Sequence, residues 1–375
     1  MHAPTRPYAT AAALATVALF AACGRLGYDS VGEILDSDAG VGDPERMASI
    51  AAGDCHTCAI SGGAIYCWGC NQAGQLGLDD VEPRATPVRL LTMPGFDRIW
   101  VGKSHSCALR GGFLWCWGDD TFGQLGLGNL GGFGSSPVRL PGNSWSDATL
   151  GYTHTCGVAG SGDLSCWGDN GGAQLGLGVE GGDHPDPEPV AGSGWGSGRG
   201  ARDTTCFLQE GGSLWCWGLP LFDRAPVAVD TAVYRRVDVG GDSICRVTDE
   251  GALVCSCADA SAGCSQLDWR QVGDATDWIV TSSGLSHTCG LREGGSLWCW
   301  GENADGQLGF GSTLGVPEPI RVGVSAWLAV SAGAHHTCAV RGDQTTWCWG
   351  RNDSGQLGQG ATSEPVLEPV PVVFP

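Results

Sequence analysis

A unit of about fifty residues recurs along most of this chain, and self-similarity at a fixed period decides architecture before any local pattern does. The best copy is HTCGLREGGSLWCWGENADGQLGFG, His287 to Gly311. Others run HTCAVRGDQTTWCWGRNDSGQLGQG, His336 to Gly360, and HSCALRGGFLWCWGDDTFGQLGLG, His105 to Gly128. Each copy carries two cysteines: Cys58/Cys67, Cys107/Cys116, Cys156/Cys166, Cys206/Cys216, Cys245/Cys255, Cys289/Cys299 and Cys338/Cys348. The second cysteine follows nine residues later in the first two copies and ten in the others.

That spacing predicts a hairpin. In the second copy Ala108 faces Trp115, Leu109 faces Leu114 and Arg110 faces Phe113, leaving Gly111-Gly112 as a two-residue turn. In the sixth, Glu293-Gly294-Gly295 forms a three-residue loop. Both arrangements place the cysteines opposite each other on antiparallel strands. The Cα atoms of a non-hydrogen-bonded pair lie about 4.5 Å apart, at the short end of disulfide range. Side chains alternate, so Cys289, Leu291, Leu297 and Cys299 share one face, and Gly290, Trp298 and Trp300 the other. Both faces are apolar, so the sheet must be covered on both sides, as a propeller blade is. Successive first cysteines lie 49, 49, 50, 39, 44 and 49 residues apart, room for four short strands. In the second copy these are expected at Arg98–Val101, Ser104–Leu109, Phe113–Gly118 and Pro137–Leu140. The prediction is an all-β, seven-bladed propeller over residues 47–375, with four antiparallel strands and a disulfide in each blade.

The pattern of Gly, His and Ser/Thr ahead of the first cysteine, followed by WG-x-N-x-x-G-Q-L-G-x-G, resembles the regulator of chromosome condensation repeat, whose members form seven-bladed β-propellers. This chain departs from it at the cysteine pair, where the family usually has an aliphatic and a small residue. The family includes a nuclear guanine-nucleotide exchange factor and a secreted propeller that inhibits β-lactamases by protein–protein contact.

Nineteen cysteines in 375 residues point to an oxidising compartment. Residues 1–22 read as an export signal: Arg6, then the apolar run AAALATVALFAA, too short for an ordinary membrane-spanning helix. The run ends in LFAAC and resembles a bacterial lipoprotein signal, which makes Cys23 the lipidated N-terminus. Ordinary signal-peptidase cleavage with Cys23 a spare thiol is the alternative. Residues 23–46 are acidic and aperiodic, a tether between anchor and body. Two further bridges are proposed. Cys55 and Cys70 share the ladder register of Cys58 and Cys67, on the opposite face, and Cys257 and Cys264 close a small loop. The fourth repeat lacks N-x-x-G-Q-L-G; the fifth lacks both the histidine and the Trp-Gly pair. Drift, or shaping by a partner, explains such units.

A net charge of −20 with a single lysine, Lys103, argues against nucleic acid. His56, His105, His154, His287 and His336 occupy one repeat position and are therefore spread around the ring, which disfavours a metal site. Trp68, Trp117, Trp167, Trp217, Trp300 and Trp349 read as blade packing, whereas Trp145, Trp195, Trp269, Trp278 and Trp327 fall outside that position and are expected to be freer to be exposed. Asp119-Asp120, Asp169-Asn170 and Asn352-Asp353 read as turn residues rather than calcium ligands. No catalytic motif, cofactor set or metal set is found. The expectation is a monomeric, non-enzymatic protein-binding module at the outer membrane or cell surface, touching the membrane only through its anchor; periplasmic or secreted placement is the alternative. The competing function is a lyase or hydrolase, or a carbohydrate-binding protein, acting on cell-wall or extracellular polysaccharide.

Overall fold

The computed structural model describes residues 47–90, 94–142, 144–241, 243–257 and 268–375. Cys23, Cys264 and the segments 1–22 and 23–46 lie outside them, as does the bridge proposed between Cys257 and Cys264. Seven four-stranded antiparallel sheets follow one another along the chain, each built from consecutive strands. The first strands of the blades are Met47–Ala52, Arg98–Val101, Trp145–Leu150, Trp195–Gly200, Tyr234–Val239, Trp278–Ser283 and Trp327–Ala332. Each touches the first strand of the next blade, and the seventh touches the first, so these strands line the centre of a closed ring.

The hairpin register is the one that cysteine spacing dictates: Cys107 faces Cys116, with Ala108/Trp115, Leu109/Leu114 and Arg110/Phe113 paired beside it. The same opposition recurs in every blade, at Cys58/Cys67, Cys156/Cys166, Cys206/Cys216, Cys245/Cys255, Cys289/Cys299 and Cys338/Cys348. All seven pairs lie at disulfide distance, with Cα atoms 4.1–4.2 Å apart. Cys55 and Cys70 stand 5.5 Å apart, and the Cys70 amide donates to the Cys55 carbonyl. That is the spacing of a hydrogen-bonded pair, on the opposite face of the same ladder. The fourth strand differs from expectation: it runs Phe133–Arg139, starting four residues earlier. Its ladder breaks between Cys116/Val138 and Gly118/Gly134, so an irregular stretch joins two short pairings that hydrophobic pattern cannot register.

The blades are joined by one repeated contact. The carbonyl of the glutamine in G-Q-L-G accepts both the indole N–H of the next blade's tryptophan and a Ser/Thr hydroxyl beside it. Gln124 O receives Trp167 Nε1 at 3.0 Å and Thr155 Oγ1 at 2.8 Å. Gln75, Gln174, Gln307 and Gln356 do the same for Trp117/Ser106, Trp217/Thr205, Trp349/Thr337 and Trp68/Thr57. Because the hydroxyl proton is committed to the glutamine, its oxygen accepts the Nε2–H of the repeat histidine one blade earlier. These pairs are His56–Ser106, His105–Thr155, His154–Thr205, His287–Thr337 and His336–Thr57, at 2.8–3.0 Å. The motif glycines follow from this crowding. A Cβ on Gly102 would stand 2.5 Å from His105 Cε1 and 2.6 Å from the Gly151 carbonyl oxygen. One on Gly126 (φ 74°) would stand 2.7 Å from Trp167 Nε1.

The ring closes by this contact and not by strand exchange. Gln356 of the last blade holds Trp68 and Thr57 of the first, and Phe374 packs edge-on against Tyr66 and Trp68. Two junctions lack the contact. Between blades 4 and 5, Thr204 replaces the histidine, Ile244 the hydroxyl and Ser256 the tryptophan, and a small pocket lined by Leu221, Val239 and Ile244 remains. Between blades 5 and 6 the histidine and hydroxyl positions hold Ser243 and Thr288, which face each other at 3.5 Å. The fourth strand of blade 4 shrinks to Val227–Ala228.

Five of the buried histidines are neutral. Burial lowers the pKa of His56, His105, His287 and His336 from 6.5 to about 3 and that of His154 to about 4. Their Nδ1 atoms have no partner among the described residues to receive a second proton. Unfolding therefore takes up protons below pH 6.5, and the stability these groups contribute is lost as pH falls from 6.5 towards 3. The urea midpoint is expected to decline between pH 7.5 and 4, less steeply in His336→Asn; a flat profile refutes this. The bridges should also differ in access. The repeat cysteines are wholly buried except Cys255, and Cys55 too is partly exposed. Brief reduction and alkylation of the folded protein should label Cys245/Cys255 and Cys55/Cys70 before Cys107/Cys116, as mass spectrometry of the labelled peptides would show.

Candidate interaction site at the channel mouth

The first strand of each blade is an edge strand, so its channel-facing amides need partners. Two residues before the glycine of each G-x-x-H turn, a side chain reaches towards the next blade. The hydroxyls of Thr149, Ser282 and Ser331 accept the amides of Gly200, Ala332 and Ala52 at 2.9–3.0 Å. In blade 5 this position is Asp238, only 4% exposed, whose carboxylate accepts hydrogen bonds from Ser283. Burial raises its pKa to about 6, opposed by the Ser283 bonds and the Arg199 guanidinium. Arg199 fills the equivalent position of blade 4, and Arg98 of blade 2 lies 3.5 Å from Asp147 of blade 3. Charge is thus concentrated on the first strands of blades 2–5. Blades 6, 7 and 1 contribute Ser282, Ser331 and Ala51 at the Asp238 level. The channel opens to solvent and is lined by the first strands of all seven blades.

At the end of the channel where the G-x-x-H turns lie, one side chain per blade follows the turn glycine or its equivalent: Asp54, Lys103, Tyr152, Arg202, Gly241, Leu285 and Ala334. Lys103 and Arg202 are exposed, and both stand over the Tyr152 ring, 5.7 Å from its centroid. Three adjacent blades so build one cation–aromatic cluster. The loops that follow Trp-Gly leave from this same end. Asp119 N donates to Ser104 O, Asp169 N to Thr153 O and Cys70 N to Cys55 O, tying each loop to its turn. These loops expose Val81, Leu130, Phe133 and Val179 on blades 1–3.

The cysteine pairs, the most regular residues that the sequence singles out, take no part in this site. No cysteine among the described residues lines the channel. Cys166, Cys216 and Cys348, like their partners Cys156, Cys206 and Cys338, are wholly buried in the apolar clusters of the blades. They lie on the two middle strands of each sheet, whereas the channel is walled by the first, so they are scaffold and meet no ligand. The repeat histidines likewise sit in the blade junctions, away from the channel. Among the described residues no group of three or more His, Cys, Asp or Glu side chains is arranged to hold a metal ion. Asp120, Asn170 and Asn352 accept the amides of Leu125, Leu175 and Leu357, so their side chains are spent on turns.

The expectation that five tryptophans are freer to be exposed is corrected. Trp195, Trp278 and Trp327 are 3–4% exposed, and Trp145 and Trp269 are partly buried. The reason is a second aromatic position, at the start of the first strand. Phe96, Trp145, Trp195, Tyr234, Trp278 and Trp327 each stand eleven residues before a repeat cysteine and pack on the blade face. That spacing is readable in the sequence. Trp269 belongs to an outer strand and stacks on Arg246 at 3.7 Å. By contrast, the mouth cluster carries no sequence motif; its members share only a position four residues before a repeat cysteine.

Two models of the regulator of chromosome condensation (RCC1) repeat match the sequence, one over residues 62–109, 111–158, 294–340 and 343–375, the other over 280–307 and 327–356. The chain belongs to the RCC1 repeat family. The matches skip residues 159–279, and blades 4 and 5, where the junction contact fails, lie in that stretch. No curated protein matches the sequence. Among solved structures, this RCC1-repeat propeller is similar to human WBSCR16 (TM-score 0.74, 18% identity, 83% of this chain and 95% of that one). It is also similar to Prp20p of Saccharomyces cerevisiae, described with its binding to Gsp1p and histones (0.73, 18%, 88% and 87%). A third is yeast RCC1 (Prp20) bound to Kap60 (0.72, 19%, 83% and 84%). At such identities the likeness shows the fold alone.

Replacing Arg199 by Met removes the charge that favours ionised Asp238. The carboxyl should then titrate above its wild-type value near 6, as carbon-detected NMR of the side chain would show; an unchanged or lower value refutes the coupling.

Proposed function

We propose that this RCC1-repeat propeller is an exported, lipid-anchored protein-binding module of the cell envelope, engaging its partner with the G-x-x-H end of blades 1–4. The observation that carries the reading is the Lys103–Tyr152–Arg202 cluster, with Val81, Leu130, Phe133 and Val179 exposed on loops at the same end. Tyrosine and arginine beside apolar residues are the composition of protein-binding hot spots. Trp195, Trp278 and Trp327 are buried and so offer no stacking surface to a polysaccharide. The related propeller of yeast is described as binding proteins, namely Kap60, Gsp1p and histones. Export rests on residues 1–22 and the cysteine content, and anchoring on Cys23 after LFAA.

Two measurements test this. Labelled fatty acid is expected to enter the wild type and not Cys23→Ala, which should appear in the soluble fraction; equal labelling excludes the anchor. Capture from envelope extract by the full mature chain should yield a saturable protein partner. Its retention should fall in Tyr152→Ala and Leu130→Asp and not in Arg270→Glu on an outer strand. Equal retention by all variants would move the binding surface elsewhere. Turnover of cell-wall fragments in place of protein capture would favour the enzyme.

A further inference from the structure

Resting on that protein-binding reading, we infer that the mouth recognises a carboxylate-rich peptide segment of the partner, seated across Lys103, Tyr152 and Arg202. Lys103 is the single lysine of a chain with net charge −20, and it stands beside an arginine over one tyrosine ring. Neither cation makes a direct ion pair among the described residues, although the neighbouring Asp203 carboxylate interacts electrostatically with Arg202. Several other surface arginines are neutralised: Arg84, Arg224, Arg270 and Arg351 are each within 2.8 Å of an acid. Arg89, Arg139 and Arg321 are exposed on outer strands, away from the mouth. The mouth therefore presents two exposed cations in no direct ion pair, on blades 2 and 4, which flank the Tyr152 blade and are joined to it by intact junctions. On the channel wall Arg199 interacts with Asp238 and Asp147, and with the cations Arg236 and Arg98.

A carboxylate entering between Lys103 and Arg202 meets charge from both sides and the ring edge of Tyr152. The acidic remainder of the surface does not prevent this. At physiological salt, charges more than about 8 Å away are largely screened, whereas contact pairs are not. It does reject long polyanions, which must lie along that surface. The exposed side chains of Val81, Leu130 and Val179 call for a ligand with apolar groups spaced along it, which selects a peptide over a small dicarboxylate.

A single lysine makes the test direct. The full mature chain is mixed with a short, N-acetylated fluorescent peptide repeating Asp-Glu-Leu and coupled with a carbodiimide, which joins carboxylates to nearby amines. The expected product is one peptide adduct, mapped by mass spectrometry to Lys103 and absent with the Asn-Gln-Leu counterpart. By fluorescence anisotropy, Lys103→Arg should keep binding while losing the adduct. Lys103→Glu with Arg202→Glu should weaken binding at least about tenfold, while Arg270→Glu should leave it unchanged. Circular dichroism and the urea midpoint confirm that the variants fold. Equal binding of the amide peptide, or coupling only at the chain N-terminus, overturns the inference. So does coupling of Lys103 to the chain's own residues 24–46, or tighter binding to vesicles of anionic phospholipid than to the peptide. If the double variant still captures the partner at wild-type level, the acidic-segment inference fails and the binding module stands. If the wild type captures none, the broader reading fails.

Discussion

Everything in this ring depends on a backbone carbonyl that serves two donors from the neighbouring blade. The glutamine carbonyl of G-Q-L-G accepts a buried indole N–H and a buried hydroxyl together, and the hydroxyl hands its remaining acceptor capacity to a histidine. Buried donors of this kind are costly to leave unpaired, so the three groups hold one another in place. The glycines around them exist because a Cβ would occupy the space that the histidine ring, the indole or the next carbonyl already fills. The same contact repeated between the last blade and the first makes a closed ring without strand exchange.

That dependence also divides the molecule. Five junctions carry the full contact and form a continuous arc from blade 6 through blade 7 and blade 1 to blade 4. The junctions on either side of blade 5 lack it, and blade 4 has a two-residue outer strand. The mouth cluster spans blades 2, 3 and 4, so Lys103, Tyr152 and Arg202 are held by two intact junctions, and the arc ends just beyond Arg202. A binding surface gains from such rigidity because its side chains need little further ordering. The disulfides act within blades, not between them. They fix hairpin register, and the polar junctions fix how the hairpins meet.

The hairpins were legible almost residue by residue. Cysteine spacing placed Leu109 against Leu114 and Arg110 against Phe113, and the ladder has those pairs. The outer strand was less legible, because the break between Cys116 and Gly118 inserts unpaired residues that no period-two pattern anticipates. The aromatic series from Phe96 to Trp327 is hard to read for another reason. Its members differ in identity, Phe, Trp and Tyr, so constant spacing from the cysteine was the only clue, and isolated tryptophans read as exposed when they are core.

The sequence by itself determined the repeat, its hairpin register, its cysteine pairing and hence the propeller, because these follow from local spacing and the alternation of side chains along strands. Only the tertiary structure decided which residues meet across blades. Trp167 and Gln124, or Lys103, Tyr152 and Arg202, are separated by most of a repeat and carry no mutual signal. Their contact depends on the angle between successive sheets. That angle is set by packing over whole blade faces, and it exists only when the ring is closed.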